Sequence, residues 1–211
     1  MFLLDNLRKQ LVRLEGKWFD ATRHIRTSGF VLVERLTLEG IPIQAHDYLP
    51  SRPSTARQAL ASAPVSVHSE YTFVDLGSGK GRVLFLAAET PYKKIVGVEF
   101  ASELHSRAIE NIRTYRCAGQ KCDHIQSLRM NAADYRFPEG NLVVFLFNPF
   151  GPALTERIID NLLSSFKASP RHIIIILLFP ENAGVVDRVP EFILHRKERR
   201  FCIYHTSSGT R

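Results

Sequence analysis

Long hydrophobic runs are missing from this chain. Its longest uninterrupted apolar segment, Ile173 to Phe179, falls far short of the roughly 20 residues that a bilayer-crossing helix needs, so a soluble protein is expected. Cysteine is scarce: Cys117, Cys122 and Cys202 cannot all pair with one another, and no secretory signal is legible ahead of them. Reduced thiols in a cytoplasmic protein are the simplest account. Cys117, Cys122 and His124 lack a fourth ligand and fit no common metal spacing, so no metal site is expected. Internal repeats and low-complexity segments are also missing.

Acidic residues are in deficit, with 21 Asp and Glu against 28 Lys and Arg, for a formal charge of +7. Such a surplus draws acidic partners. It is concentrated in residues 1–26 and in Arg196-Lys197-Glu198-Arg199-Arg200, two faces that read as solvated surfaces or, more sharply, as nucleic-acid or anionic-membrane contacts. At 211 residues, 45% hydrophobic and 23% charged, the chain has the size and balance of one globular domain with a modest extension.

Leu4, Leu7, Leu11, Leu14 and Trp18 alternate in steps of three and four, which predicts an amphipathic N-terminal helix. The plain expectation is that this helix packs on the domain or covers its active site; a membrane-surface or partner contact is the alternative. Gly40, Pro42, Pro50 and Pro53 then mark a connector, with a short helix over 55–63. From Tyr71 onward strands at 71–76, 94–99, 125–130, 141–147 and 171–179 alternate with helices at about 81–89, 102–116 and 153–167, and 191–196 with 200–206 forms a final antiparallel pair. Near-continuous apolar runs such as LVVFLF and IIIILLF belong to parallel strands covered on both faces. The expected fold is therefore α/β: a doubly wound, mostly parallel seven-stranded sheet with a C-terminal antiparallel hairpin and an N-terminal helical extension. The extension and connector take residues 1–69, the cofactor-binding domain 70–211.

The first strand ends in Asp75 and runs into Gly77, Gly79 and Gly81 before a helix, which is where open α/β sheets bind ligands. Glycines there let the backbone turn sharply and approach a ligand. The spacing is G-x-G-x-G with Arg82 next, not the G-x-G-x-x-G of dinucleotide sites, and Asp75 would repel a pyrophosphate while holding an ammonium. The next strand ends in Glu99, 24 residues beyond Asp75, near the spacing of a ribose-binding acid.

FVDLGSGKGR followed by IVGVEF resembles motif I and the following acidic motif of class I S-adenosylmethionine-dependent methyltransferases, over roughly residues 70–180. The resemblance implies a Rossmann-like fold and S-adenosylmethionine as cofactor. Asp75, Gly77, Ser78, Gly79 and Gly81 would then cradle the methionine part, Glu99 would bind the ribose, and Asp134 or Asn131 would lie near the adenine. The DLGSG loop is also similar to that of DOT1-like and related protein-lysine methyltransferases. LVVFLF continues into Asn148-Pro149-Phe150-Gly151, which is similar to the Asn-Pro-Pro-Tyr motif of amino-group methyltransferases. By that likeness Asn148 and the Pro149 carbonyl would orient a target nitrogen and Phe150 would pack beside it. Phe and Gly stand where that motif has Pro and Tyr. His46, Asp47, Tyr48 and Arg57, upstream of the first strand, are the other polar side chains expected near the site. The implied function is methyl transfer to a nucleophile, nitrogen before oxygen, on a protein side chain or small molecule. The alternative is a noncatalytic Rossmann-like module that binds nucleic acid or a protein partner through the basic faces.

Overall fold

The apolar runs assemble into one seven-stranded sheet in a computed structural model that describes residues 2–37, 47–147 and 150–207, with side chains of the first helix from Gln10 onward. The strands are β1 (Tyr71–Leu76), β2 (Lys94–Glu99), β3 (Ile125–Arg129), β4 (Asn141–Leu146), β5 (Ile173–Leu178), β6 (Phe192–Lys197) and β7 (Phe201–Thr206). They lie in the order β3-β2-β1-β4-β5-β7-β6. The first five are parallel, and β7 runs antiparallel between β5 and β6. The expected doubly wound sheet and closing hairpin are both present.

Alternation along the central strands divides the core in two. Phe73, Phe145, Ile174 and Ile176 face one layer, with α2 (Pro53–Ala61), α3 (Arg82–Ala87) and Phe19 packed on it. Val74, Val144 and Ile175 face the other, under α5 (Pro152–Ala168) and α6 (Ala183–Asp187). Asp75 follows Val74 and so falls on the α3 side, in register with Gly97 of β2 and Phe145 of β4. The switch of connection direction between β1 and β4 opens a crevice at the carboxyl ends of these strands, where ligands of such sheets bind. Strand β5 stops one residue short of Phe179 because that residue turns into the left-handed region at φ +50.

Helix α1 (Phe2–Ala21) departs from expectation in the face it buries. The stripe chosen by its spacing points outward: Leu11, Leu14 and Trp18 are 53%, 60% and 63% exposed. The helix docks instead through Gly16, Phe19 and Asp20. Gly16 admits the guanidinium of Arg82, whose Nη1 would lie 3.2 Å from any Cβ there. Phe19 is fully buried with the Arg23 guanidinium 4.3 Å above its ring. Asp20 accepts the backbone N–H groups of Thr27 and Ser28 at 2.8 and 2.7 Å, closing the turn that follows the helix. Arg23 and Arg57 both donate to Glu89, which holds that carboxyl below its usual range despite partial burial.

Candidate active site

The loop after β1 folds back over the end of β2. Gly77 and Ser78 donate their N–H groups to the Val98 carbonyl at 2.9 and 3.0 Å, and Gly81 closes the turn onto the Ser78 carbonyl at 2.9 Å. This path requires Gly97 opposite, because a Cβ there would meet Ser78 Oγ and Leu84 Cδ1 at 2.7 Å. It also requires φ of +54 at Gly79, a conformation that side chains disfavour. The buried Glu99 fastens the loop from below. Its Oε2 accepts the Gly79 N–H at 2.8 Å, and its Oε1 accepts the Ala101 N–H at 2.8 Å, just ahead of α4 (Ser102–Thr114). Burial raises the Glu99 pKa, and these N–H groups oppose the rise.

Beside this loop lies a cleft of about 470 Å³. Asp75, Ser78 and Arg82 form its floor, Tyr48 and Pro50 one wall, and Phe147 and Phe179 the other. The two phenylalanine rings are 5.7 Å apart. Tyr48 donates its hydroxyl to the Thr27 carbonyl at 2.7 Å, and Lys80 lies 4.8 Å above its ring, so this wall is anchored to the segment after α1. Arg82 is the one cation on the described cleft wall, and it is fully engaged. It donates to Thr27 Oγ1 at 2.7 Å, to the Ser51 carbonyl at 3.0 Å and to Ser28 Oγ at 2.8 Å, and lies 3.5 Å from Asp20.

Asp75 is the reverse case. It is 3% exposed, and among the described residues its carboxyl has no hydrogen-bond or ion-pair partner. Burial first, and the Glu99 carboxyl second, hold its pKa well above the usual carboxylate range. The Ser51 and Ser78 hydroxyls are likewise buried without partners among the described residues. An uncompensated carboxyl and two orphan hydroxyls on one cleft call for a ligand that brings a cation and hydrogen-bonding groups. S-adenosylmethionine, with its ammonium and sulfonium, meets that demand.

Of the residues expected at the site, Asp75, Gly77, Ser78, Asp47 and Tyr48 line this cleft. Gly79 and Glu99 stand behind its loop, joined by the bond described above. Asn131 and Asp134 do not reach it. Asn131 Oδ1 caps the short turn Ala132–Asp134 by accepting the Ala133 N–H at 3.0 Å, and Asp134 is exposed with Arg157 of α5 3.8 Å away. Phe150 packs on the α5 side of the sheet, its carbonyl accepting from Asn182 at 2.9 Å. Arg57 is held by Glu89. His46, Asn148 and Pro149 lie outside the described residues. Unforeseen were the Phe147 and Phe179 wall, the engaged Arg82, and Glu181 at the rim.

The family described as Histone methylation protein DOT1 matches residues 58–197, more than half of the chain. Among curated protein sequences nothing matches. Solved structures of the same fold include an RNA methyltransferase from Salinibacter ruber in complex with S-adenosyl-L-homocysteine, at 16% identity and TM-score 0.51, over 75% of this chain and 92% of that one. Magnesium protoporphyrin IX methyltransferase from Synechocystis PCC 6803, with bound cofactor, is similar at 11% identity and TM-score 0.50, over 72% and 75%. The glycopeptide N-methyltransferase MtfA is similar at 10% identity and TM-score 0.53, over 76% and 92%. These three enzymes are named for different acceptors, so the shared fold speaks for the architecture and not for the acceptor.

Proposed function

This chain belongs to the DOT1 histone methylation family of S-adenosylmethionine-dependent methyltransferases, and from that premise we propose that its acceptor is an amine nitrogen. The observation that carries this reading is the sign of charge in the cleft. The protein is strongly basic, yet the side chains on the described cleft wall that lack an ionic partner are carboxyls: once Asp75 on the floor is given to the cofactor's ammonium, Asp47 and Glu181 at the rim are left to face the acceptor. The Arg82 charge is spent on Asp20. Aromatic walls from Tyr48, Phe147 and Phe179 suit the aliphatic stem of an amine, and their faces favour a cation.

Bound S-adenosylmethionine supplies an electrophilic methyl group; the chain supplies position. Asp75 would hold the cofactor's ammonium, and Glu99, with a second lone pair on each oxygen already engaged by backbone, would accept the ribose hydroxyls. Asn131 and Asp134 remain the proposed adenine side of the site. Asn148 and Pro149 directly follow Phe147 in sequence, and by the Asn-Pro likeness their carbonyl oxygens would accept hydrogen bonds from the nitrogen, aiming its lone pair in line with the methyl carbon. Phe150 would support that turn.

Such an orienting group matters at the transition state and little in the cofactor complex. Asn148→Ala is therefore expected to lose on the order of a hundredfold in single-turnover rate with cofactor affinity unchanged. Full turnover per folded molecule with a lowered melting temperature would reduce Asn148 to a strand terminator. The reading of nitrogen as acceptor is tested separately by hydrolysing the labelled product and separating its components: label recovered in an N-methylated amine supports it, whereas label released by alkali, as from a carboxyl ester, or recovered in a methyl ether or thioether overturns it.

A further inference from the structure

We infer that the outward face of α1 binds an anionic lipid surface, so that this methyltransferase works at a membrane interface. Three apolar side chains of one helix face are left in solvent: Leu11, Leu14 and Trp18, each more than half exposed. The sequence repeats the same spacing at Leu7 and Leu4. Single exposed apolar residues are ordinary, but a contiguous stripe along a helix whose other side is already docked marks an interaction surface.

The character of the occupant follows from what flanks the stripe. On a helix of 3.6 residues per turn, Arg13 and Lys17 fall on the border between the exposed stripe and the buried Gly16 and Asp20. Both are exposed, and neither has an ion-pair partner among the described residues. Glu15, the acid nearest the stripe, is turned away and neutralised by Arg52 at 2.5 Å and the Ser54 N–H. The border therefore presents free cations beside leucine and tryptophan. That is the pattern of a helix lying in a lipid interface, apolar face in the acyl boundary and cations at the headgroup phosphates. Nucleic acid would use the cations and leave the leucines wet. A second copy of this chain would bring Arg13 and Lys17 against their like. No helix of the described residues is long and apolar enough to span a bilayer, so the contact is interfacial.

The docking through Gly16, Phe19 and Asp20 makes the contact consequential. The turn after α1 carries Thr27 and Ser28, which bind Arg82 and Tyr48 on the cleft. A lipid-bound α1 would hold the cleft mouth at a set distance from the surface.

Trp18 is the only tryptophan in the chain, so its fluorescence reports on this face alone. Full-length protein is titrated with phosphatidylcholine vesicles containing phosphatidylglycerol, and with pure phosphatidylcholine vesicles. The expected result is a blue shift and co-sedimentation with the anionic vesicles only, reversed by high salt. Leu14→Glu should weaken that binding by at least about tenfold, given the apolar area it removes from the acyl boundary. Arg13→Gln with Lys17→Gln should weaken it with the stripe intact. Because Leu14 is exposed, cofactor binding by the Leu14→Glu protein should match the wild type, which shows that it folds. Absence of a shift with anionic vesicles overturns the proposal. So does a blue shift that appears without lipid as protein concentration rises, or binding that Leu14→Glu leaves unchanged.

Discussion

Arg82→Ala should cost about 3–5 kcal/mol of folding stability, the scale for removing one partner of a buried ion pair. The guanidinium is buried and satisfies Thr27 Oγ1, Ser28 Oγ and the Ser51 carbonyl while lying 3.5 Å from Asp20. Its loss leaves the Asp20 carboxylate with the Thr27 and Ser28 donors but without its cation, and removes the link between α1, the segment around Ser51 and the start of α3. The check is urea unfolding, with a lower midpoint at unchanged slope. Cofactor affinity should fall too, because Ser51 and Tyr48 lose their anchorage on the cleft wall. A loss below about 1 kcal/mol would place Arg82 with ordinary surface residues.

Gly79→Val should abolish measurable cofactor binding. A Cβ at this position would lie 2.3 Å from Tyr48 Cε2, closer than atoms can approach, and φ of +54 penalises a β-branched residue. The loop and the Tyr48 wall cannot both keep their places. Gly79→Ala should be milder and partly rescued by Tyr48→Ala, because that second change empties the space the methyl needs. Such a pair in direct contact is expected to couple by about 0.5–3 kcal/mol. Near-normal affinity in Gly79→Val, measured by calorimetry on folded protein, would mean that the loop does not cradle this ligand.

These two residues illustrate what the sequence discloses. The strands were legible because burial on both faces leaves near-continuous apolar runs, and the glycine loop because its spacing and the strand-end acids Asp75 and Glu99 are local. Arg82 read only as the absence of a third glycine; its role depends on Asp20 and Thr27, more than fifty residues upstream. Phe147 and Phe179 meet because β4 and β5 are neighbours, and no spacing along the chain encodes that adjacency. Strand-end position marked Glu99 as a site acid, but not that both its oxygens already hold backbone N–H groups. The outer face of α1 was misleading for a different reason. Periodicity selects the stripe with the most leucine, whereas docking was decided by a glycine, one phenylalanine and an aspartate on the opposite side.

The central claim, that the cleft is built around an uncompensated carboxyl awaiting a cationic cofactor, is tested most directly at Asp75. A raised pKa in the folded state means that the native protein holds this proton longer than the unfolded chain does. Stability of the free protein should therefore decline as pH rises from the unfolded value, about 3.9, toward the raised folded one. A cofactor that brings positive charge binds the ionised form, so affinity should fall as pH is lowered below that raised pKa. The measurement is calorimetric titration with S-adenosylmethionine over a series of pH values, all below the range in which an α-amino group titrates. For the wild type the account predicts affinity that weakens on acidification, together with proton release on binding. For Asp75→Asn it predicts weak affinity with a reduced pH dependence and a higher melting temperature without ligand. An Asp75→Asn protein that binds as tightly as the wild type, with the same pH dependence, would contradict it.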